Sequence, residues 1–242
     1  MNDPFPIPLP PTQDELPYDD GEPMETGRHR QQMELLIETL QPWLQARGDG
    51  YVAGNMFVYY SLAQVRRQDF KGPDVFVVLD VPQHERKSWV VWEEGKPPDV
   101  VIELLSESTA EADKTTKKRI YESRMRVAEY FWFDPFDSDD WAGFRLQGEH
   151  YEPLESGGDD RLPCRALGLT LTRWRGLYQG VEAVWLRWTD LDGMLLSTAE
   201  ERTREAESRA EQAESRAEQA ETRAQRLAAR LRELGMDPDE MD

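Results

Sequence analysis

Apolar side chains recur at positions 33, 36, 37, 40 and 44, the spacing of one helical face. They predict an amphipathic helix over His29–Arg47 that stops near Gly48 and Gly50. Beyond it the pattern shortens to strand-length apolar runs at Asn55–Tyr60, Asp74–Val81, Ser88–Glu93 and Val100–Leu105, punctuated by Pro82 and by Gly95–Pro98. Helical spacing returns from Ala110 to Arg126, with Ser108 or Thr109 as the capping residue. Strands follow at Tyr130–Phe133, near Gly143–Gln147 and near Val184–Arg187. Strands, a helix and a further strand in that order predict an α/β or α+β core, a mixed sheet flanked by helices. Val100–Leu105 is apolar on both faces except at Glu103, which places it centrally in the sheet.

The two ends of the chain read differently. Residues 1–27 carry seven acids, several prolines and no Lys or Arg, and predict a disordered arm, with a polyproline docking segment as the sharper alternative. The core domain is expected over 28–196. From 197 to 235 the repeats AESRAEQ, AESRAEQ and AETRAQR have a period of seven. Ala206, Ala213, Ala220, Leu227 and Leu234 make one seam, and Ala210, Ala217, Ala224 and Leu231 the other. This is a coiled-coil heptad, opened by a capping box at Ser197 and Glu200, with Gly235 closing the helix before a tail at 236–242. A seam made mostly of Ala buries little area, so a solvated single helix laced by Glu–Arg pairs competes with a homo-oligomer or a partner helix.

The candidate chemistry rests on acids in apolar surroundings. An acid inside a central strand costs several kcal/mol unless it is paired or holds a metal. Asp99 and Glu103 share a strand face but lie about 13 Å apart, too far to hold one ion. Asp74 and Glu103 can stand side by side on paired strands, about 5 Å apart. Mg²⁺ keeps several waters, so two carboxylates suffice to hold it, and Mn²⁺ can replace it. Such an ion polarises a phosphodiester and activates water. Asp113, Lys117 and Tyr121 form one stripe on the following helix, so Lys117 is the candidate to assist the attack, with Lys118 second. Glu34 and Glu38 could reach the ion from the first helix. The structural alternatives are plain: Asp74 and Asp99 as strand caps, Glu103 as a buried ion-pair partner, and Lys117, Glu34 and Glu38 as solvated side chains.

Composition tempers this. A net charge of −19 opposes nonspecific nucleic-acid binding, although Lys114, Lys117, Lys118 and Arg119 form a local basic cluster. The single cysteine, Cys164, excludes an internal disulfide and a cysteine zinc site, and fits a cytoplasmic setting. The three histidines have no metal-ligand spacing, and no apolar run is long enough to span a membrane.

GPDVFVV, then PPDVVIELLSEST, then the Asp113–Lys117–Tyr121 stripe and EYFWFDP resemble the Uma-type restriction endonucleases of the PD-(D/E)XK nuclease superfamily. The resemblance covers about residues 28–200, including DLDGMLLSTAEE at 190–201, and extends to an Ala/Glu/Arg-rich coil ending in Leu-Gly-x-Asp-Pro. It implies a restriction-endonuclease-like core and Mg²⁺-dependent cleavage of DNA, with Asp74 and Glu103 as metal ligands and Lys117 as a lysine migrated from the strand to the next helix. Nothing in the sequence separates DNA from RNA as substrate. Two departures stand out: Ser106-Glu107-Ser108 replaces the usual Ser-Pro-Ser, and Arg126-Val127-Ala128-Glu129-Tyr130-Phe131 replaces Gly-Val-Pro-Glu-Tyr-Trp. The rival expectation is a catalytically inactive scaffold that acts through its C-terminal coil.

Overall fold

The computed structural model describes residues 10–18, 26–61, 70–157 and 160–233, with side chains as far as 230. Most of the expected arm, Leu234, Gly235 and the tail lie outside the described residues. The chain divides into two compact units, Met1–Leu196 and Ser197–Asp242.

In the first unit, helix α1 (Gly27–Arg47) begins where Thr26 Oγ1 accepts from the His29 N–H, and ends at Gly48 with φ 86°. That left-handed cap is one that glycine adopts without a Cβ penalty. Strands β1 (Tyr51–Ala53), β2 (Val58–Tyr59), β3 (Phe70–Lys71), β4 (Val75–Val78) and β5 (Trp89–Val90) follow, then a single turn α2 (Val91–Glu94) and strand β6 (Val100–Leu104). The run Ser88–Glu93, expected as one strand, is therefore half strand and half helical turn. Gly95 at φ 83° caps the turn, and Arg86 draws Glu94 into a paired contact of 2.6 and 2.9 Å.

The expected helix over 110–126 is present, but its winding is uneven. It runs through α3 (Ala110–Ala112), a π turn (Asp113–Lys117), α4 (Lys118–Ile120) and a second π turn (Tyr121–Met125). It crosses from β6 to the parallel strand β7 (Glu129–Phe133). Strands β8 (Trp141–Gln147) and β9 (His150–Pro153) complete a six-stranded mixed sheet in the order β1-β4-β6-β7-β8-β9. β10 (Arg161–Cys164), β11 (Leu169–Tyr178) and β12 (Val181–Thr189) form an antiparallel sheet, and β3-β2-β5 forms a third. The mixed α+β architecture expected from the pattern is the one observed.

Alternation along the strands sorts the core into two halves. Val75, Val77, Val100, Ile102, Leu104, Phe131 and Phe133 face α1, through Leu36, Leu40 and Leu44, and the β10–β12 sheet. Phe76, Val78, Val101 and Tyr130 face the other way, against Tyr121 and Met125 of the crossover helix and Val58 and Trp89 of the third sheet. Asp74 and Glu103 have the parity of this second face.

Residues 10–18, within the segment expected as a disordered arm, lie against the third sheet. Leu16 packs with Phe57, Tyr59 and Val90; Trp92 Nε1 donates to the Pro11 carbonyl and Tyr59 Oη to that of Pro17.

The second unit is helix α5 (Ala199–Glu233), whose described seam side chains are exposed, Leu227 by 57%. Its capping box is Thr198 and Glu201, one residue later than expected. Thr198 N–H donates to Glu201 Oε2 at 2.7 Å, and Glu201 N–H to Thr198 Oγ1 at 3.1 Å. Thr-x-x-Glu satisfies the box chemistry as well as Ser-x-x-Glu does, and frees Glu200 to pair with Arg204 at 2.7 Å.

α1 is fastened to β12 by Gln32, which is fully buried. Its Nε2 donates to the Leu186 carbonyl at 2.8 Å and its Oε1 accepts from the Leu186 N–H at 2.9 Å. Gln32→Ala strands both backbone groups without water, so a loss of about 2 kcal/mol or more is expected in urea unfolding. An unchanged midpoint and slope would contradict this fastening.

Candidate active site

The register Val75↔Ile102 between antiparallel β4 and β6, continued by one residue, sets Asp74 beside Glu103. The two acids are linked through the backbone as well. Leu104 N–H donates to Asp74 Oδ2 at 2.7 Å, and Asp74 N–H approaches Glu103 Oε2 at 3.4 Å. Gly54 helps hold this edge close. A Cβ there would stand 2.5 Å from the Asp74 carbonyl oxygen and 2.6 Å from Met33 Sδ.

The crossover helix lies over the same face. Its π turns carry i→i+5 hydrogen bonds, a wider winding than α, and Asp113, Lys117 and Tyr121 come from those turns. Lys117 Nζ is 3.3 Å from Glu103 Oε2 and 2.6 Å from Asp113 Oδ1. Tyr121 Oη donates to Glu103 Oε1 at 2.6 Å, and Tyr130 Oη to the Asp113 carbonyl at 2.9 Å. The structure thus brings Asp74, Glu103 and Lys117 together. Glu103 and Asp113 are fully buried, while Asp74 and Lys117 keep partial exposure and form the open side of the cluster.

Three acids here face one ammonium. Burial pushes the Glu103 carboxyl up to about 8, Lys117 opposes that rise, and Asp74 adds to it. Burial likewise lifts Asp74 to about 6, against the Leu104 N–H and Lys117. Burial alone would lower Lys117, but Glu103 and Asp113 outweigh it and hold the ammonium above its usual range. Lys117 therefore stays charged, and its single charge cannot neutralise the cluster. Asp113 lies within ion-pair distance of Lys117, yet neither carboxylate oxygen has an aligned hydrogen-bond donor. Among the described residues no three His, Cys, Asp or Glu side chains form a metal cage. The set fits instead a hydrated Mg²⁺ or Mn²⁺ held by Asp74 and Glu103, whose raised carboxyls have a proton that a cation can replace.

Other acids considered from the sequence go elsewhere. Asp99 accepts from Leu79 N–H at 2.7 Å and pairs with Lys96 at 2.8 Å, so it shapes the strand entry. Glu38 Oε2 accepts from Tyr178 Oη at 3.3 Å, and Glu34 from Gln179 Nε2 at 3.2 Å, which turns both toward the β11–β12 hairpin. Lys118 lies over the Phe144 ring at 3.4 Å, away from the carboxyls. A cleft of about 450 Å³ lined by Leu44, Gly50, His84 and Glu85 opens at the opposite end of β4.

Two further polar residues owe their burial to packing alone. Asp113 was one of a stripe, and its burial comes only from packing. His29, with no metal-ligand spacing, is buried on α1 and its Nε2 lies 2.9 Å from the Leu105 carbonyl, two residues beyond Glu103. A carbonyl only accepts, so Nε2 carries the proton. The approach of His29 and Leu105 is long-range and leaves no local pattern.

The family model Uma2, described as "Putative restriction endonuclease", matches residues 6–173. No curated protein matches the chain. Among solved structures, the chain is similar to one titled a putative nuclease belonging to DUF820 from Anabaena variabilis. The identity is 20%, over 65% of this chain and 91% of that one, with a TM-score of 0.45.

The raised carboxyls fix a pH dependence. The native state holds protons near Asp74 and Glu103 that the unfolded chain releases around pH 4–5. The contribution of these two carboxyls to the stability of the metal-free protein is therefore fully present below that range and is lost as pH rises, through about 6 for Asp74 and about 8 for Glu103. Glu103→Gln should remove the fall between about pH 6 and 8. Denaturant midpoints across pH 5–8.5 in chelator test this, and a wild-type midpoint that rises with pH would refute it.

Proposed function

The chain belongs to the Uma2 family, and from that membership we propose that it is a divalent-metal-dependent endonuclease that hydrolyses phosphodiester bonds in DNA. The observation that carries the reading is the meeting of Asp74, Glu103 and Lys117 on one sheet face, with Lys117 Nζ 3.3 Å from Glu103 Oε2.

Each residue has a role that follows from its contacts. Asp74 and Glu103 are the ligands for Mg²⁺ or Mn²⁺. A cation there would supply Lewis acidity toward a phosphoryl oxygen and offset the charge that builds as the bond breaks. Lys117, kept protonated by Glu103 and Asp113, donates to the substrate's phosphoryl oxygens or orients the attacking water. Tyr121 holds Glu103 Oε1, and the Leu104 N–H holds Asp74 Oδ2, so neither carboxylate has to reorganise on binding. Asp113 positions Lys117 from one turn away, and Tyr130 ties that turn to β7.

The competing reading is a scaffold without catalysis, favoured by the charge of −19. Calorimetric titration with Mg²⁺ and Mn²⁺, followed by incubation with supercoiled plasmid and with single-stranded RNA, separates the two. Cation binding lost in Glu103→Gln, with divalent-dependent nicking by the wild type, is the expected result. Lys117→Met should keep cation binding and lose about a hundredfold or more in rate, with circular dichroism unchanged. Cleavage of RNA alone would reassign the substrate. The absence of both cation binding and cleavage would leave the scaffold.

A further inference from the structure

We propose that α5 self-associates as a parallel two-stranded coil with a second copy of this chain. The inference concerns the second unit alone and does not rest on the nuclease reading. With Ala206, Ala213 and Ala220 as d positions and Ala210, Ala217 and Ala224 as a positions, the heptad assigns every other residue of the helix. The e positions are Glu207, Glu214 and Glu221. The g positions are Arg209, Arg216 and Arg223. All of these side chains are exposed.

The flanks of the seam thus carry opposite charges, one side acidic and the other basic. In a parallel pair each g residue faces the e residue five positions further along the other strand. Arg209 then meets Glu214 of the second copy, and Arg216 meets Glu221, in both directions across the two-fold axis. In an antiparallel pair g faces g and e faces e, so Arg would oppose Arg and Glu would oppose Glu. The single helix makes little use of these charges. Arg209 reaches Glu205 at 3.1 Å, four residues back, with both side chains more than half exposed. A solvated helix needs no particular charge beside its apolar seam, whereas a parallel homodimer needs this one.

The seam narrows the occupant further. Alanine lets two backbones approach closely but buries little, and Leu227 and Leu231 add area only in the last heptads. Charge on the flanks therefore decides partner and direction. A parallel coil also brings both Thr198 residues, and so the exits of both first units, to the same end.

Sedimentation equilibrium of the full chain tests the proposal. The triple variant Arg209→Glu, Arg216→Glu, Arg223→Glu sets acid against acid and should weaken self-association at least tenfold. The triple variant Glu207→Arg, Glu214→Arg, Glu221→Arg should do the same. An equimolar mixture of the two should restore a dimer, because each then supplies what the other lacks. Direction is read with Ala206→Cys and Ala220→Cys made separately, Cys164 being buried. A parallel coil in register cross-links each variant to itself, and no antiparallel register allows both. A monomer at every soluble concentration, a dimer indifferent to both charge reversals, or failure of either self-cross-link would overturn the proposal.

Discussion

One ammonium serves three carboxyls in a place from which water is largely excluded, and much of the first unit is arranged around that imbalance. Glu103 is in the middle of a strand whose other residues are Val, Ile and Leu, so its charge has no solvent to lean on. Burial of such a group is costly unless a counter-charge and hydrogen bonds meet it. Lys117, Tyr121 and the Asp74 N–H supply part of that, from the crossover helix and from β4. They do not supply enough, since Asp74 and Asp113 bring two more acids to the same ammonium. The balance is made up by a proton on these carboxyls, for whose place the proposed divalent cation would compete.

The geometry depends on winding and parity together. A strand sends alternate side chains to opposite faces, so Val100, Ile102 and Leu104 go to α1 while Val101 and Glu103 go to the crossover helix. The acid is thereby removed from the larger apolar layer and turned to the face where a lysine can meet it. On the helix, Asp113, Lys117 and Tyr121 are four residues apart, and π turns at Asp113–Lys117 and Tyr121–Met125 widen the coil over them. The second π turn ends at Arg126 in the left-handed region, φ 58°, where a glycine would sit without strain. A Cβ there costs about 1–2 kcal/mol. The Arg126 N–H still reaches the Tyr121 carbonyl, so the helix exit is kept without the glycine.

What could be read in the sequence were features with a local period or a one-residue energetic signature. The α1 stripe, the apolar run around Glu103 and the heptads are of the first kind, and an acid inside VVIELL is of the second. Asp74 could be paired with Glu103 because neighbouring strands in a mixed sheet bring such positions together. Long-range closure was not legible. β9, β10 and β11 have few uninterrupted apolar runs, since their outward faces are polar, and the β10–β12 sheet went unpredicted apart from part of β12. His29 and Gln32 look like ordinary polar residues of an amphipathic helix, yet each is buried against backbone 76 and 154 residues away. The capping box slipped by one residue because Ser197 and Thr198 are followed by Glu200 and Glu201, two overlapping boxes that only the turn geometry separates.

The acidity of the chain looks opposed to a polyanionic substrate, but the site changes the sign of the problem locally. Among the described residues most acids are exposed, where salt screens their charge within about 10 Å. The acids that a phosphate would approach are different in kind. Glu103 and Asp74 are held up toward neutrality by burial, and Lys117 beside them is fixed as a cation. A phosphodiester arriving over the exposed edges of Asp74 and Lys117 thus meets less negative charge than the composition suggests. Replacement of the proton by a divalent cation would let the ion and Lys117 together balance the carboxylates of Asp74, Glu103 and Asp113. Burial, which makes these carboxyls expensive to ionise, is then also what would make activity conditional on a bound cation, and it connects the stability of the fold to the state of its site.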